Sequence, residues 1–100
     1  MTKHGLYIQL EAKPGKEKLV ADFLASALPM VEEERETTAW FAMKTGPSTF
    51  GVFDAFDSER GREAHLTGRV ANALKAKTSD LLARPPSIEK MDLIASKLPH

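Results

Sequence analysis

Apolar and polar residues alternate near the amino terminus, which predicts a β-strand over residues 6–12. Leu6, Ile8 and Leu10 fall on one face, while Tyr7 falls on the other. Successive side chains of a strand point to opposite faces, so this period of two favours a strand with one apolar and one mixed face. A Pro-Gly pair follows and is expected to end the strand.

The next segment has the spacing of an amphipathic helix. Apolar residues recur every three or four positions from Leu19 to Leu28, with charged residues between them. Pro29 has no backbone N–H to donate, so the pattern predicts that the helix ends there. The charged residues 32–36 follow and are interpreted as a solvated connector.

Two further segments predict a β-hairpin. Residues 38–44 and residues 49–56 are rich in aromatic and β-favouring side chains. The sequence Gly-Pro-Ser between them has the composition of a turn. Because the two strands are joined so closely, we expect them to pair antiparallel.

A helical region and a final strand complete the chain. Asp57 and Ser58 are favoured helix N-cap residues, and apolar residues continue at helical spacing beyond them. Gly68 lies inside this region and predicts a break there. A Pro-Pro pair ends the helical region, and residues 87–96 return to a β-like pattern.

The element order β-α-β-β-α-β predicts a single domain over residues 1–100 with a ferredoxin-like α+β fold. In this arrangement both helices cover one face of an antiparallel sheet. The hairpin strands are apolar on both faces, since the adjacent residues Trp40 and Phe41 point to opposite sides. A second apolar face of this size is more than soluble monomers usually expose, so we predict a homodimer with two sheets packed face to face.

Composition and charge narrow the function classes. Lys plus Arg and Asp plus Glu both number 14, so no net-charge field attracts nucleic acid or an anionic membrane. The sequence has no cysteine, which excludes disulfides, thiolate catalysis and cysteine-ligated metals and fits a reducing cytoplasm. The apolar run near the amino terminus is too short for a signal peptide or a membrane span. We therefore expect a cytoplasmic protein.

His65 is the strongest candidate for acid–base chemistry. Its unperturbed pKa lies near neutrality, so it can exchange a proton under physiological conditions. The other two histidines, His4 and His100, lie near the termini, and the three are too scattered to predict a metal site. The alternative is a structural role, in which His65 only hydrogen-bonds a backbone carbonyl within the helix packing.

Asp54 is the second candidate, because it is a carboxylate inside an otherwise apolar strand. We expect it either to orient His65 or to form an ion pair with Arg62 or Arg69. If it lies in a pocket, burial raises its pKa and makes it a competing base.

Aromatic side chains are the candidates for the walls of a binding slot for a flat ring. Neighbouring strand residues point to opposite faces, so these side chains cannot all line one cavity. Those on the dimer-facing side are expected to serve assembly instead. The set consists of Tyr7, Trp40, Phe41, Phe53 and Phe56.

Four segments together resemble the antibiotic biosynthesis monooxygenase family of small dimeric α+β-barrel proteins. They are Thr49–Phe56, the pair His65 and Leu66, residues 86–90 and residues 97–99. The resemblance covers nearly the whole chain and is more specific for fold than for reaction.

The resemblance implies a cofactor-independent monooxygenase that uses dioxygen and a small aromatic, quinol or polyketide-like compound. Such members work without metal, flavin or haem, because the deprotonated substrate supplies the electrons. The resemblance also implies that His65 is the base or an orienting donor. Haem-degrading relatives carry tryptophan at the position of Phe56, so no haem is expected here.

Two alternatives stay open at this point. One is a non-catalytic dimeric module that binds a small molecule or protects against stress, in which His65 is structural. The other is an isomerase on the same scaffold, which would move a proton without consuming dioxygen.

Overall fold

The computed structural model describes residues 2–99, so Met1 and His100 lie outside the described residues. Four strands and three helices follow one another within that range. They are β1 (His4–Glu11), α1 (Glu17–Glu32), β2 (Thr37–Lys44), β3 (Thr49–Phe56), α2 (Glu59–Leu66), α3 (Arg69–Leu81) and β4 (Ser87–Asp92).

The four strands form one sheet in the order β2-β3-β1-β4, and every neighbouring pair is antiparallel. This is the strand order of the ferredoxin-like fold, so the predicted α+β class and topology are confirmed. The predicted hairpin is confirmed as well, because β2 and β3 pair directly. Gly15 supplies the turn after β1 with a φ of 83°, a conformation that side-chain-bearing residues rarely adopt.

The hydrophobic core lies between the sheet and the helices. Alternate residues of β1 and β3 point into it, where they meet apolar residues of α1 and the end of α3. The buried members are Leu6, Ile8, Leu10, Ala12, Val20, Leu24, Phe50, Val52, Phe56, Leu81 and Leu82. No helix within residues 2–99 covers the opposite face of the sheet.

The helix α1 extends beyond the end that the sequence predicts. It continues through Pro29 to Glu32. A proline inside a helix removes one backbone hydrogen bond and crowds the carbonyl four residues earlier, but the last turn is held by buried packing of Ala27 and Val31 against Val70 of α3. Tertiary packing therefore outweighs the local penalty of the proline.

The predicted break at Gly68 is confirmed, because α2 ends at Leu66 and Gly68 is the N-cap of α3. The last strand is shorter than the predicted 87–96 and ends at Asp92. Among the described strands it pairs with β1 alone, and the paired residues end where His4 pairs with Asp92. No helix within residues 2–99 has the length and apolar character of a membrane span.

Candidate functional site

An ion pair lies beneath α2, between Asp54 of β3 and His65. The Nε2 atom of His65 is 2.8 Å from Oδ2 of Asp54, and both side chains are buried. The distance is short, but the contact does not have the geometry of a hydrogen bond to Oδ2. It is therefore an ion pair. Strand alternation explains the location, since Asp54 shares the helix-facing side of β3 with Phe56.

A second carboxylate meets the other ring nitrogen of His65. The Nδ1 atom lies 2.6 Å from Oε1 of Glu34, which follows α1. The same oxygen accepts a hydrogen bond of 2.7 Å from the hydroxyl of Thr37. The side chain of Glu34 is 22% exposed, whereas that of Asp54 is fully buried. The three groups therefore form a continuous relay of Asp54, His65 and Glu34 from the interior towards solvent.

Local sequence explains how α2 presents His65. Ser58 caps the helix, and its hydroxyl accepts a hydrogen bond of 3.0 Å from the backbone N–H of Gly61. The helix is only two turns long, so His65 lies in its last turn, where a protonated imidazole is favoured by the helix dipole. The phenyl ring of Phe56 packs against the imidazole at a centroid distance of 5.5 Å.

Gly61 lets the segment before β2 approach α2 closely. A Cβ atom at this position would lie 2.8 Å from Cβ of Glu36, which is closer than such atoms approach each other. The absence of a side chain at Gly61 therefore brings the segment that carries Glu34 within reach of His65.

The surroundings raise the pKa of His65 above its ordinary value. Burial by itself lowers this pKa, but the short contacts with Asp54 and Glu34 and their negative charges together outweigh it. An imidazole between two carboxylates thus favours its protonated form. Since both ring nitrogens already face carboxylates, Glu34 is the member of the relay that is best placed to meet a substrate.

Burial raises the pKa of Asp54, and the charge of Glu34 adds to this, while His65 opposes it. Asp54 Oδ1 is buried and has no hydrogen-bond partner among the described residues. The indole N–H of Trp40, the cross-strand neighbour of Asp54, is also buried without a hydrogen-bond partner among the described residues. A buried carboxylate with one unpartnered oxygen holds a proton more readily than an exposed one.

The relay opens into a cleft of about 360 Å³. The cleft lies between the end of α1, one side of α2 and the start of α3. Most of its lining residues are charged or polar, with aliphatic surface from Met30 and Ala64, and apolar atoms form the larger share of the exposed lining. One wall is the backbone at Gly68, where a Cβ atom would lie 3.9 Å from Oε2 of Glu34. The cleft can therefore admit a small molecule to the outer oxygen of Glu34.

The aromatic residues that the sequence singles out do not share this cleft. Trp40 and Phe56 lie on the helix side and belong to the packed interior. Tyr7, Phe41 and Phe53 lie in a row on the uncovered face, since Phe53 pairs with Tyr7 on one side and Phe41 on the other. The row is separated from His65 by the sheet.

The two arginines considered as partners of Asp54 contact other groups. Arg62 is buried and donates to the backbone carbonyls of Gly5 and Met91, each at 3.2 Å. Arg69 forms an exposed ion pair of 3.1 Å with Glu33. Asp54 therefore pairs with His65 and with neither arginine.

Within residues 2–99, no group of three or more His, Asp or Glu side chains is arranged to hold a metal ion.

Glu34 is the site residue that the sequence interpretation missed. The charged run was expected to be a solvated connector, but Glu34 turns inward to His65 while Glu33 remains exposed. Glu34 is followed three residues later by Thr37, a spacing that suits a side-chain hydrogen bond within a turn. Nothing else in the sequence distinguishes it from the neighbouring glutamates.

Comparison with known proteins places the chain among structures of this fold. A crystal structure of a protein of unknown function from Nitrosomonas europaea is 62% identical, with a TM-score of 0.99, and the match covers 100% of this chain and 97% of that one. The chain belongs to the same family as that protein. No protein-family model and no curated protein sequence matches it.

More distant structures share the fold alone. A protein from Mycobacterium tuberculosis has a TM-score of 0.82 at 12% identity, over 94% of this chain and 97% of that chain. An antibiotic biosynthesis monooxygenase has a TM-score of 0.78 at 13% identity, over 92% of this chain and 99% of that chain. Members of this structural group are ferredoxin-like, as this chain is.

Proposed function

We propose that this protein is a cofactor-independent monooxygenase that acts on a small aromatic, quinol or polyketide-like compound with an acidic proton. The observation that carries the proposal is the relay of Asp54, His65 and Glu34, which ends at a cleft. Glu34 contacts the imidazole of His65, and the buried carboxylate of Asp54 orients that imidazole. A carboxylate in such an arrangement can act as an acid–base group. His65 then acts as the orienting donor and Glu34 as the base.

The proposed reaction begins with transfer of the acidic C–H or O–H proton of the substrate to Oε2 of Glu34. The resulting electron-rich anion reacts with dioxygen. For a CH₂ group that becomes a carbonyl, one oxygen atom enters the product and the other leaves as water with both hydrogens of the CH₂ group, so the substrate supplies all four electrons that reduce dioxygen. The relay must then return the proton taken by Glu34 to the departing oxygen.

Fold similarity supports this reaction class, because one structural neighbour is named an antibiotic biosynthesis monooxygenase. The fold is compatible with several activities, so the relay carries the proposal and the similarity only supports it.

An isomerase is the second candidate, and the charged residues that line the cleft favour it. The glutamate and arginine side chains around the relay suit a small polar compound better than a flat ring. In that case Glu34 would remove a proton from one carbon atom and return it to another. The non-catalytic binding module is the outcome expected if neither reaction occurs.

A homodimer is part of the proposal. The uncovered face of the sheet exposes the row of Tyr7, Phe41 and Phe53, and Phe41 is 56% exposed. Packing this face against its copy would remove a large apolar surface from water. A cytoplasmic location stays a prediction that rests on the absence of cysteine.

The decisive experiment measures dioxygen uptake by the purified protein with a naphthoquinol, an anthrone and a flavonol, beside the variant Glu34→Gln. We expect protein-dependent uptake that falls by about 10²-fold or more in this variant. Glu32→Gln, a nearby change at an exposed position outside the cleft, is the matched control and should retain activity.

Proton exchange into the same compounds, followed by NMR in deuterated water, separates the two candidates. Exchange that depends on Glu34 without dioxygen uptake would favour the isomerase. Equal uptake by Glu34→Gln and the unaltered protein would refute the role of the relay. An absence of both reactions in folded protein would favour the binding module.

A further inference from the structure

Thr37 and Glu34 are joined by two hydrogen bonds within one turn. The backbone N–H of Thr37 donates to the carbonyl of Glu34 at 3.3 Å, and the Thr37 hydroxyl donates to Glu34 Oε1 at 2.7 Å. The turn thus fixes both the backbone and the carboxylate of Glu34. A residue in a freely solvated connector would have neither restraint.

A β-bulge at the start of β2 turns Thr37 towards the relay. Thr37 pairs with Phe56, whereas Ala39 pairs with Ala55, so the intervening Thr38 is an extra residue without its own partner. In a regular strand, Thr37 and Ala39 would point to the same face. The extra residue places Thr37 on the helix-facing side with Phe56, while Ala39 stays on the uncovered side.

The bulge is itself held by a hydrogen bond. The hydroxyl of Thr38 donates to the carbonyl of Ala55 at 2.8 Å. Bulges of this kind often re-aim a side chain next to a functional site. Here the re-aimed side chain reaches the carboxylate that faces the cleft.

Two donors therefore converge on one oxygen of Glu34. Thr37 Oγ1 and His65 Nδ1 both lie within hydrogen-bond distance of Oε1. No hydrogen bond or ion pair to Oε2 occurs among residues 2–99. This second oxygen lies near the backbone wall at Gly68, so the two oxygens of the carboxylate have different surroundings.

We propose that Thr37 is a positioning residue, which together with His65 holds Oε1 of Glu34 and thereby reserves Oε2 for the proton of the substrate. The inference rests on the proposed function of the relay, but it concerns a residue outside that relay. The bulge is needed for this contact, because without the extra residue Thr37 would face away from Glu34.

The test compares Thr37→Val, which keeps the β-branched shape but loses the donor, with Thr37→Ser, which keeps the donor. The first readout needs no substrate and is the titration of the His65 ring, followed by NMR in the full chain. Without the hydroxyl of Thr37, the side chain of Glu34 is free to turn away from His65. We expect the His65 midpoint in Thr37→Val to fall by about 0.5 pH unit or more, in the direction of Glu34→Gln.

The second readout is the steady-state rate with any compound that the protein turns over. We expect Thr37→Val to lower kcat about tenfold with a small change in KM, since a hydrogen bond to a charged group is lost. Thr37→Ser should restore both the rate and the titration. Thr45→Val is the matched control, because its hydroxyl bonds Thr49 at the far end of the hairpin.

The outcomes separate this inference from the proposed function. If Thr37→Val leaves the His65 midpoint unchanged while Glu34→Gln shifts it, Thr37 is not a positioning residue and the relay stands. If Glu34→Gln also has no effect on activity, the proposed function fails independently of Thr37. A loss in Thr37→Val that Thr37→Ser does not restore would assign Thr37 a structural role only.

Discussion

His65 Nε2 lies 2.8 Å from Asp54 Oδ2, so a helix residue and a strand residue eleven positions earlier form a buried ion pair. The contact joins α2 to the middle of the sheet. It also connects the fully buried carboxylate to Glu34, whose Oε1 lies 2.6 Å from the other ring nitrogen. Stability and proposed chemistry therefore depend on the same three side chains.

Removal of Asp54 should destabilise the fold. In Asp54→Ala the buried imidazole loses its partner, and we expect the free energy of unfolding to fall by about 3–5 kcal/mol. Asp54→Asn keeps an acceptor oxygen and should have a smaller effect. Urea denaturation near neutral pH measures both. Glu33→Ala, which breaks an exposed ion pair, is the control and should cost at most about 1 kcal/mol.

The stability of the protein should fall as the pH rises above neutrality. The raised pKa of His65 means that the folded state holds its proton more tightly than the unfolded chain. That contribution is fully present below the unfolded pKa of 6.5 and is lost as the pH rises through the folded pKa. The raised pKa of Asp54 acts in the same direction above its ordinary value of 3.8.

Urea midpoints between about pH 6 and about pH 9 measure this dependence. We expect His65→Gln to have a lower stability and a weaker dependence on pH over that range. An identical slope in His65→Gln and the unaltered protein would show that another group is responsible.

Gly61→Ala should weaken the site even though alanine is the better helix former. Intrinsic propensity alone predicts a gain of about 1 kcal/mol from this change. The new Cβ atom would instead lie 2.8 Å from Cβ of Glu36 and push the segment with Glu34 away from α2. We expect a net loss of stability and a fall in the His65 midpoint by NMR. A more stable variant with an unchanged midpoint would contradict this account.

Phe41→Lys should separate the proposed dimer. A charge in the centre of the apolar row would have to be buried between two sheets, which is costly without a partner. Light scattering at micromolar concentration should report a dimer for the unaltered protein and a monomer for this variant. Leu28→Lys alters a similarly exposed apolar residue of α1 and should leave the dimer intact. A monomeric unaltered protein would remove the dimer from the proposal.

Much of the fold follows from local patterns. The alternation around Leu6 and the aromatic run ending at Phe56 predict strands, because side chains in a strand have a period of two. The break at Gly68 and the cap at Ser58 are also readable, since backbone freedom and side-chain capping are local properties. The end of α1 is different, because packing of Val31 overrides the signal of Pro29.

The candidate site is only partly readable in the same way. Asp54 stands out because it is a carboxylate among apolar strand residues, and His65 because it is the one histidine of the sequence that is far from both termini. Their contact depends on how α2 crosses β3, and the sequence favoured an ion pair of Asp54 with a basic side chain such as Arg62 or Arg69. Glu34 could not be distinguished from its neighbours, because a charged run carries no periodic signal.

The sequence by itself determined the order of the elements, the two-faced sheet and the choice of His65 and Asp54 as candidate titratable residues. Only the tertiary structure decided that Glu34 completes the relay and that Thr37 reaches it across a β-bulge. The physical reason is the range of the interactions concerned. Propensity, capping and periodicity act over a few residues, whereas the contacts of His65 with Glu34 require separate elements to pack at fixed distances.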